Sequence, residues 1–71
     1  MRLSDLQTKE IINMNTGKRL GLIVDIILEQ SGNIKSLVLE EKHIRRFSGR
    51  EEYQLDWDRI VKIGDDIILI K

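Results

Sequence analysis

His43 is the single histidine in the chain and cysteine is absent. A Ser–His–Asp arrangement would need that imidazole held by packing, yet His43 sits in the most polar stretch of the sequence. The hydroxyls of Ser4, Thr8, Thr16, Ser31, Ser36, Ser48 and Tyr53 stand mostly in turn contexts. Carboxylates come as neighbours: Glu40 with Glu41, Glu51 with Glu52, Asp56 with Asp58, Asp65 with Asp66. Hard metals want several oxygens around one point. Adjacent strand residues point to opposite faces, so such pairs do not converge. Asp56 and Asp58 could converge if the chain curls between them, but turn chemistry accounts for them more simply. Gly17 and Gly21 are separated by bulky residues and do not form a phosphate cradle. No catalytic residue, metal ligand or cofactor is expected.

One charge feature is sharp. Lys42, Arg45, Arg46 and Arg50 place four positive charges within nine residues, with Phe47 among them. Arginine beside an aromatic ring can bind phosphate and stack on a base. Glu40, Glu41, Glu51 and Glu52 flank the segment and offset much of its field within a Debye length of ~8 Å. This stretch is the candidate loop for a protein partner or, as the alternative, for RNA or DNA. The segment from Glu41 to Glu52 is also expected to be the most mobile internal part of the chain.

The elements that must carry these groups read as strands and turns. Ser4 is placed to cap a short turn over Asp5, Leu6 and Gln7. Lys9 to Met14 reads as a first strand, followed by a turn in which Gly17 is available for positive φ. Arg19 to Gln30 is dominated by β-branched residues and contains Gly21, which favours a strand over a helix. Ser31, Gly32 and Asn33 mark a hairpin, and Ile34 to Glu40 returns. Tyr53 to Leu55 is a short strand, Asp56 to Arg59 one turn with Asp56 as a cap, and Ile60 to Ile63 another strand. Trp57, between two strands, is expected to plug one end of a barrel. Gly64, Asp65 and Asp66 turn the chain into Ile67 to Ile70. Six short strands at this spacing suit a small barrel, because closure removes open edges.

Twelve Ile, nine Leu and three Val make up a third of the 71 residues, and Lys plus Arg balance Asp plus Glu at twelve each. That composition excludes a disordered chain, and the lack of cysteine excludes a disulfide scaffold or zinc ribbon. No window approaches the ~18 apolar residues of a membrane span. A single domain over residues 1–71, placed in the cytoplasm and not inserted in a membrane, is expected.

The alternation of apolar residues is imperfect. Leu22, Val24, Ile26 and Leu28 occupy one set of positions, Ile23, Asp25 and Ile27 the other, and both are largely apolar. The return strand sets Ile34 and Val38 against Leu37 and Leu39. A barrel interior accepts one face only. Either a bulge near Asp25 switches sides, or the surplus is an interface. Leu22, Val24, Ile27, Leu37 and Leu39 are the candidate self-association face, with a two-fold dimer expected.

The order and spacing of several short motifs resemble the PRC-barrel family. They are Leu3-Ser4-Asp5-Leu6, Lys9 to Asn13, and Gly17 to Gly21 with Asp25 and Ile26 following. The second half adds Phe47 to Glu52, Trp57, and Ile60 to Leu69. Within that family the pattern is similar to the YlmC/YmxH branch of sporulation-associated proteins. The resemblance implies an all-β fold, a small six-stranded antiparallel β-barrel with at most short helical turns. It also implies docking to protein or ribonucleoprotein assemblies, without catalysis. Two departures stand out. Asp56 takes the place of the proline common before the tryptophan, and Leu22, Val24 and Ile27 are aliphatic where relatives are commonly polar or small.

Overall fold

The β-branched runs form strands where the sequence pattern places them. The computed structural model describes residues 1–41 and 52–71. A short helix α1 (Leu3–Gln7) leads into β1 (Glu10–Asn13), β2 (Arg19–Leu28) and β3 (Ile34–Glu40). Then come β4 (Glu52–Asp56), a 3-10 turn (Trp57–Arg59), β5 (Ile60–Ile63) and β6 (Ile67–Ile70). The helix is capped from Arg2, not from Ser4: the Arg2 backbone N–H donates to the Asp5 carboxylate at 2.8 Å. Asp56 likewise makes no side-chain cap; it is extended backbone entering the 3-10 turn.

The six strands form one sheet in the order β4-β3-β2-β1-β6-β5. The expected all-antiparallel barrel needs correction on two points. β1 and β6 pair in parallel, Ile11 beside Ile68 and Asn13 beside Ile70, while the other neighbours are antiparallel. The sheet is also not closed, and β4 and β5 are its two edges. Both differences trace to one connection. Strand directions counted through the sheet make β4 and β5 run the same way, so the link between them is not a hairpin. The 3-10 turn is a corner that carries the chain from one edge of the sheet to the other. Three residues span so short a distance that the sheet must curl until its edges meet there.

Curling creates the core. Leu6, Ile11, Ile23, Leu37, Leu39, Leu55, Ile68 and Ile70 are buried together on the concave side. Each such side chain contributes about 1.5–3 kcal/mol relative to exposure. Leu20, Ile26, Ile34, Tyr53, Trp57, Ile60 and Ile63 pack around them, partly buried.

β2 serves both halves of the sheet and breaks its own alternation to do so. Against β1, the register passes from Ile11–Gly21 to Ile12–Arg19, leaving Leu20 as an extra residue. Against β3, it passes from Ile23–Leu39 to Asp25–Val38, leaving Val24 extra. The second bulge is the one the apolar pattern near Asp25 calls for. It lets Ile23 and Ile26, three positions apart, face the same side.

Gly21 is where β2 passes closest to the end of β3. Its φ is +122°, and a Cβ there would lie 2.2 Å from the Glu40 carbonyl oxygen. The atoms it would meet are all backbone of Glu40 and Glu41, so no flexible side chain can yield. Gly17 also has positive φ, +74°, but faces open space. Gly21→Ala should therefore cost about 2 kcal/mol or more, and Gly17→Ala about 1 kcal/mol, in urea unfolding. Equal losses at the two positions would refute this account of the close approach.

Candidate interaction surfaces

The residues singled out from the sequence divide into three groups. Leu37 and Leu39 are fully buried in the core, so they do not belong to an outward face. The Val24 bulge explains it: with Ile23 opposite Leu39 and Ile26 opposite Leu37, both leucines point inward with their partners. Leu22 and Ile27 alternate with inward-facing neighbours and lie half-buried on the convex side. Val24 is exposed. Lys42, Arg45, Arg46, Phe47 and Arg50, with the mobility expected of their segment, lie outside the described residues, as does His43.

Val38 takes the place of the two leucines on the convex face. It stands between Leu37 and Leu39 on β3, opposite Asp25 on one side and Gln54 on the other. The convex side of β2 and β3 thus carries Leu22, Ile27 and Val38, with Val24 beside them. Polar residues frame this strip. Ser36 pairs with Ile27 and Asp56 across the strands, and its hydroxyl donates to the Gln54 side-chain carbonyl at 3.3 Å. Glu40 stands opposite Leu22 and Glu52. Across β1, Ile12 and Leu69 form a second half-buried pair on the same side. The outward role of Val38 was legible only once the bulge fixed the phase of β2 against β3.

A groove of about 730 Å³ opens at one end of the same strands. Glu29, Gly32 and Asn33 of the β2–β3 turn line one wall, with Ile34 and Lys35 at the start of β3. Asp56, Trp57 and Asp58 line the other. Trp57 packs partly against the core, in keeping with a plug at one end of the curled sheet, and also borders this groove. Three carboxylates and one ammonium therefore surround an indole. The tight β2–β3 turn holds one wall in place: the Glu29 N–H donates to the Asn33 carbonyl and the Gly32 N–H to the Glu29 carbonyl, both at 2.8 Å.

On the concave side, the Tyr53 hydroxyl reaches across from β4 to donate to the Leu20 carbonyl of β2 at 2.5 Å. Burial pushes the phenol above its usual 10.0, the Glu41 carboxylate adds to the rise, and Arg59 opposes it. The bond ties the bulged residue of β2 to an edge strand. Among the described residues, no group of three or more His, Cys, Asp or Glu could hold a metal ion. No helix among them is long and apolar enough to cross a membrane.

The curled six-strand sheet and its β4–β5 corner agree with the family motifs, and comparison with known proteins decides the matter. A model of the PRC-barrel domain matches residues 1–71. The chain belongs to the PRC-barrel family. It is 38% identical to the "Probable sporulation protein YlmC" of Bacillus subtilis (strain 168), over 97% of this chain and 89% of that relative. It is 36% identical to "Uncharacterized protein YmxH" of the same organism, over 99% of this chain and 87% of that one. An uncharacterized protein of Clostridium acetobutylicum is 33% identical, over 96% of this chain and 80% of that relative. These relatives carry the sporulation association or no stated activity, and none is named as an enzyme. This PRC-barrel chain thus joins the YlmC/YmxH-type relatives on which its motifs converge.

The chain has one tyrosine, so its titration can be followed at 295 nm without interference. The midpoint should lie above 10.0, because burial favours the neutral phenol. The sign follows directly: the stability this adds is complete below pH 10 and is lost as pH rises through the folded-state value. Tyr53→Phe should remove that alkaline dependence and cost about 1 kcal/mol for the hydrogen bond. An ordinary midpoint in the folded chain would show the hydroxyl to be solvated.

Proposed function

We propose that this chain is a non-catalytic, cytoplasmic module that works by self-association and by docking to a protein partner, in a sporulation setting. The observation that supports this reading best is the convex strip of Leu22, Ile27 and Val38. Eight buried aliphatic side chains already fill the concave side, so these three have no interior to enter. Covering a half-exposed aliphatic chain recovers part of the roughly 1.5–3 kcal/mol that full burial provides. A small domain without disulfides gains from that association. Two-fold pairing is the commonest form it takes. The sporulation setting rests on the name carried by the Bacillus relative. A strip of this kind also suits a different protein, so the dimer can exchange for a complex.

Sedimentation equilibrium at micromolar concentration tests the reading. The expected mass is twice 8.3 kDa, and a clean 8.3 kDa species overturns it. Val38→Lys with Ile27→Lys should give a folded monomer, with stability changed by about 1 kcal/mol or less. Leu37→Lys should instead unfold the chain, since it places an unpaired charge in the core.

A further inference from the structure

The groove beside Trp57 differs in chemistry from the convex strip. Glu29, Asp56 and Asp58 line it together with Lys35, so carboxylates outnumber the one ammonium. Among the described residues, none of these four side chains forms a hydrogen bond or an ion pair. Lys35 is exposed, the extra residue of β3 where the register passes from Ile27–Ser36 to Leu28–Ile34. It shares the groove without neutralising any carboxylate. Arg59 follows in sequence but is engaged elsewhere: its Nε donates to the Lys71 carbonyl at 2.8 Å, and the Lys71 N–H donates to the Arg59 carbonyl at 3.0 Å. Like charges gathered without a counter-charge favour a cation supplied from outside.

Trp57 narrows the class of cation. The indole packs partly against the core and also borders the groove, so it is anchored on one side and open to a ligand on the other. Asp56 and Asp58 are its neighbours in the chain, which brings an aromatic face and two carboxylates from three consecutive residues. A guanidinium is planar: it stacks on an indole while the N–H groups of its edge pair with carboxylates. A compact ammonium has no plane to stack. Both walls are tied down before anything binds, one by the hydrogen bonds of the β2–β3 turn, the other by the Arg59–Lys71 pair and the Ile60 N–H donated to the Trp57 carbonyl. Little ordering is then needed on binding. The volume of about 730 Å³ falls among clefts of roughly 300–1,000 Å³ that hold ligands, and it leaves room for residues on either side of one arginine. We infer that this groove receives an arginine side chain from an extended segment of a protein partner, its guanidinium stacked on Trp57 and paired with Asp56 and Asp58. Glu29 adds charge from the opposite wall. This rests on the protein-docking part of the reading above and names the partner's chemistry; it does not depend on the dimer.

The peptide acetyl-Gly-Arg-Gly-amide, added to the full chain, tests it. The chain has one tryptophan, so its fluorescence and its indole N–H resonance report on the groove. Both should shift saturably with the arginine peptide. The citrulline counterpart, which keeps the shape and loses the charge, and the lysine counterpart, which keeps the charge and loses the plane, should each bind at least about fivefold more weakly. Asp56→Asn with Asp58→Asn should weaken binding of the arginine peptide about tenfold. Lys35→Gln should strengthen it about threefold, because an opposing charge is removed. A damaged fold does not produce a gain of affinity, so this variant keeps the test decisive. No saturable shift, equal binding of the citrulline peptide, or an affinity unchanged by the two asparagines overturns the inference, as does weaker binding by Lys35→Gln. Sedimentation equilibrium on the same samples keeps the readings apart. A chain that dimerises yet ignores the peptide overturns the groove alone, and a monomer that binds it supports the groove while self-association falls.

Discussion

β2 has to match β1 along one edge and β3 along the other, and a strictly alternating ten-residue strand cannot bury the right side chains against both. The mismatch is absorbed at Leu20 and Val24, each an extra residue in one of its two ladders. Everything on the concave side follows from where those breaks fall. Ile23 and Ile26 face inward together only because Val24 lies between them as a bulge. Leu37 and Leu39 then face inward opposite them. Gly21 is required between the two breaks because the β3 backbone comes against it there. Tyr53 reinforces the first break by donating to the Leu20 carbonyl. One strand thus carries two bulges, a close backbone approach and a cross-sheet hydrogen bond within a few residues.

Much of the strand layout was legible in the residues. β3, β5 and β6 have the boundaries that their β-branched runs and flanking turn residues indicate. Positive φ at Gly17 and Gly32 matches turn chemistry read directly from neighbouring Asn, Thr and Ser. The parallel pairing of β1 with β6 was not legible. It depends on the corner at Trp57–Arg59 failing to reverse the chain, and local propensity carries no record of strand direction. The start of α1 was not legible either. Ser4 is the better capping residue by type, but the Asp5 side chain bonds the backbone at Arg2 and sets the helix start earlier.

The candidate face was half legible. An apolar surplus on the β2–β3 hairpin was visible as a count, and the possibility of a bulge near Asp25 was visible as a break in alternation. Which side chains formed the surplus depended on the exact position of the extra residue. A shift of one position moves a whole set across the sheet. Leu22 and Ile27 kept their outward place, while Val38 replaced its two leucine neighbours. The acidic surroundings of Trp57 could have been suspected from Asp56 and Asp58 flanking it. Their companion Glu29 comes from a turn far away in sequence and joins them only through the fold.

The parallel β1–β6 ladder has a consequence for how the chain is made. β1 is made well before its partner, a strand from the other end of the fold. Until Ile67 to Ile70 emerge, one edge of β1 has no ladder and the core lacks Ile68 and Ile70. Contacts so distant in sequence are slow to form, because a long loop must close before they contribute. Before β6 is added, the meander of β1 to β4 keeps an open apolar side. Docking of the β5–β6 hairpin onto β1 is therefore the step that seals the core.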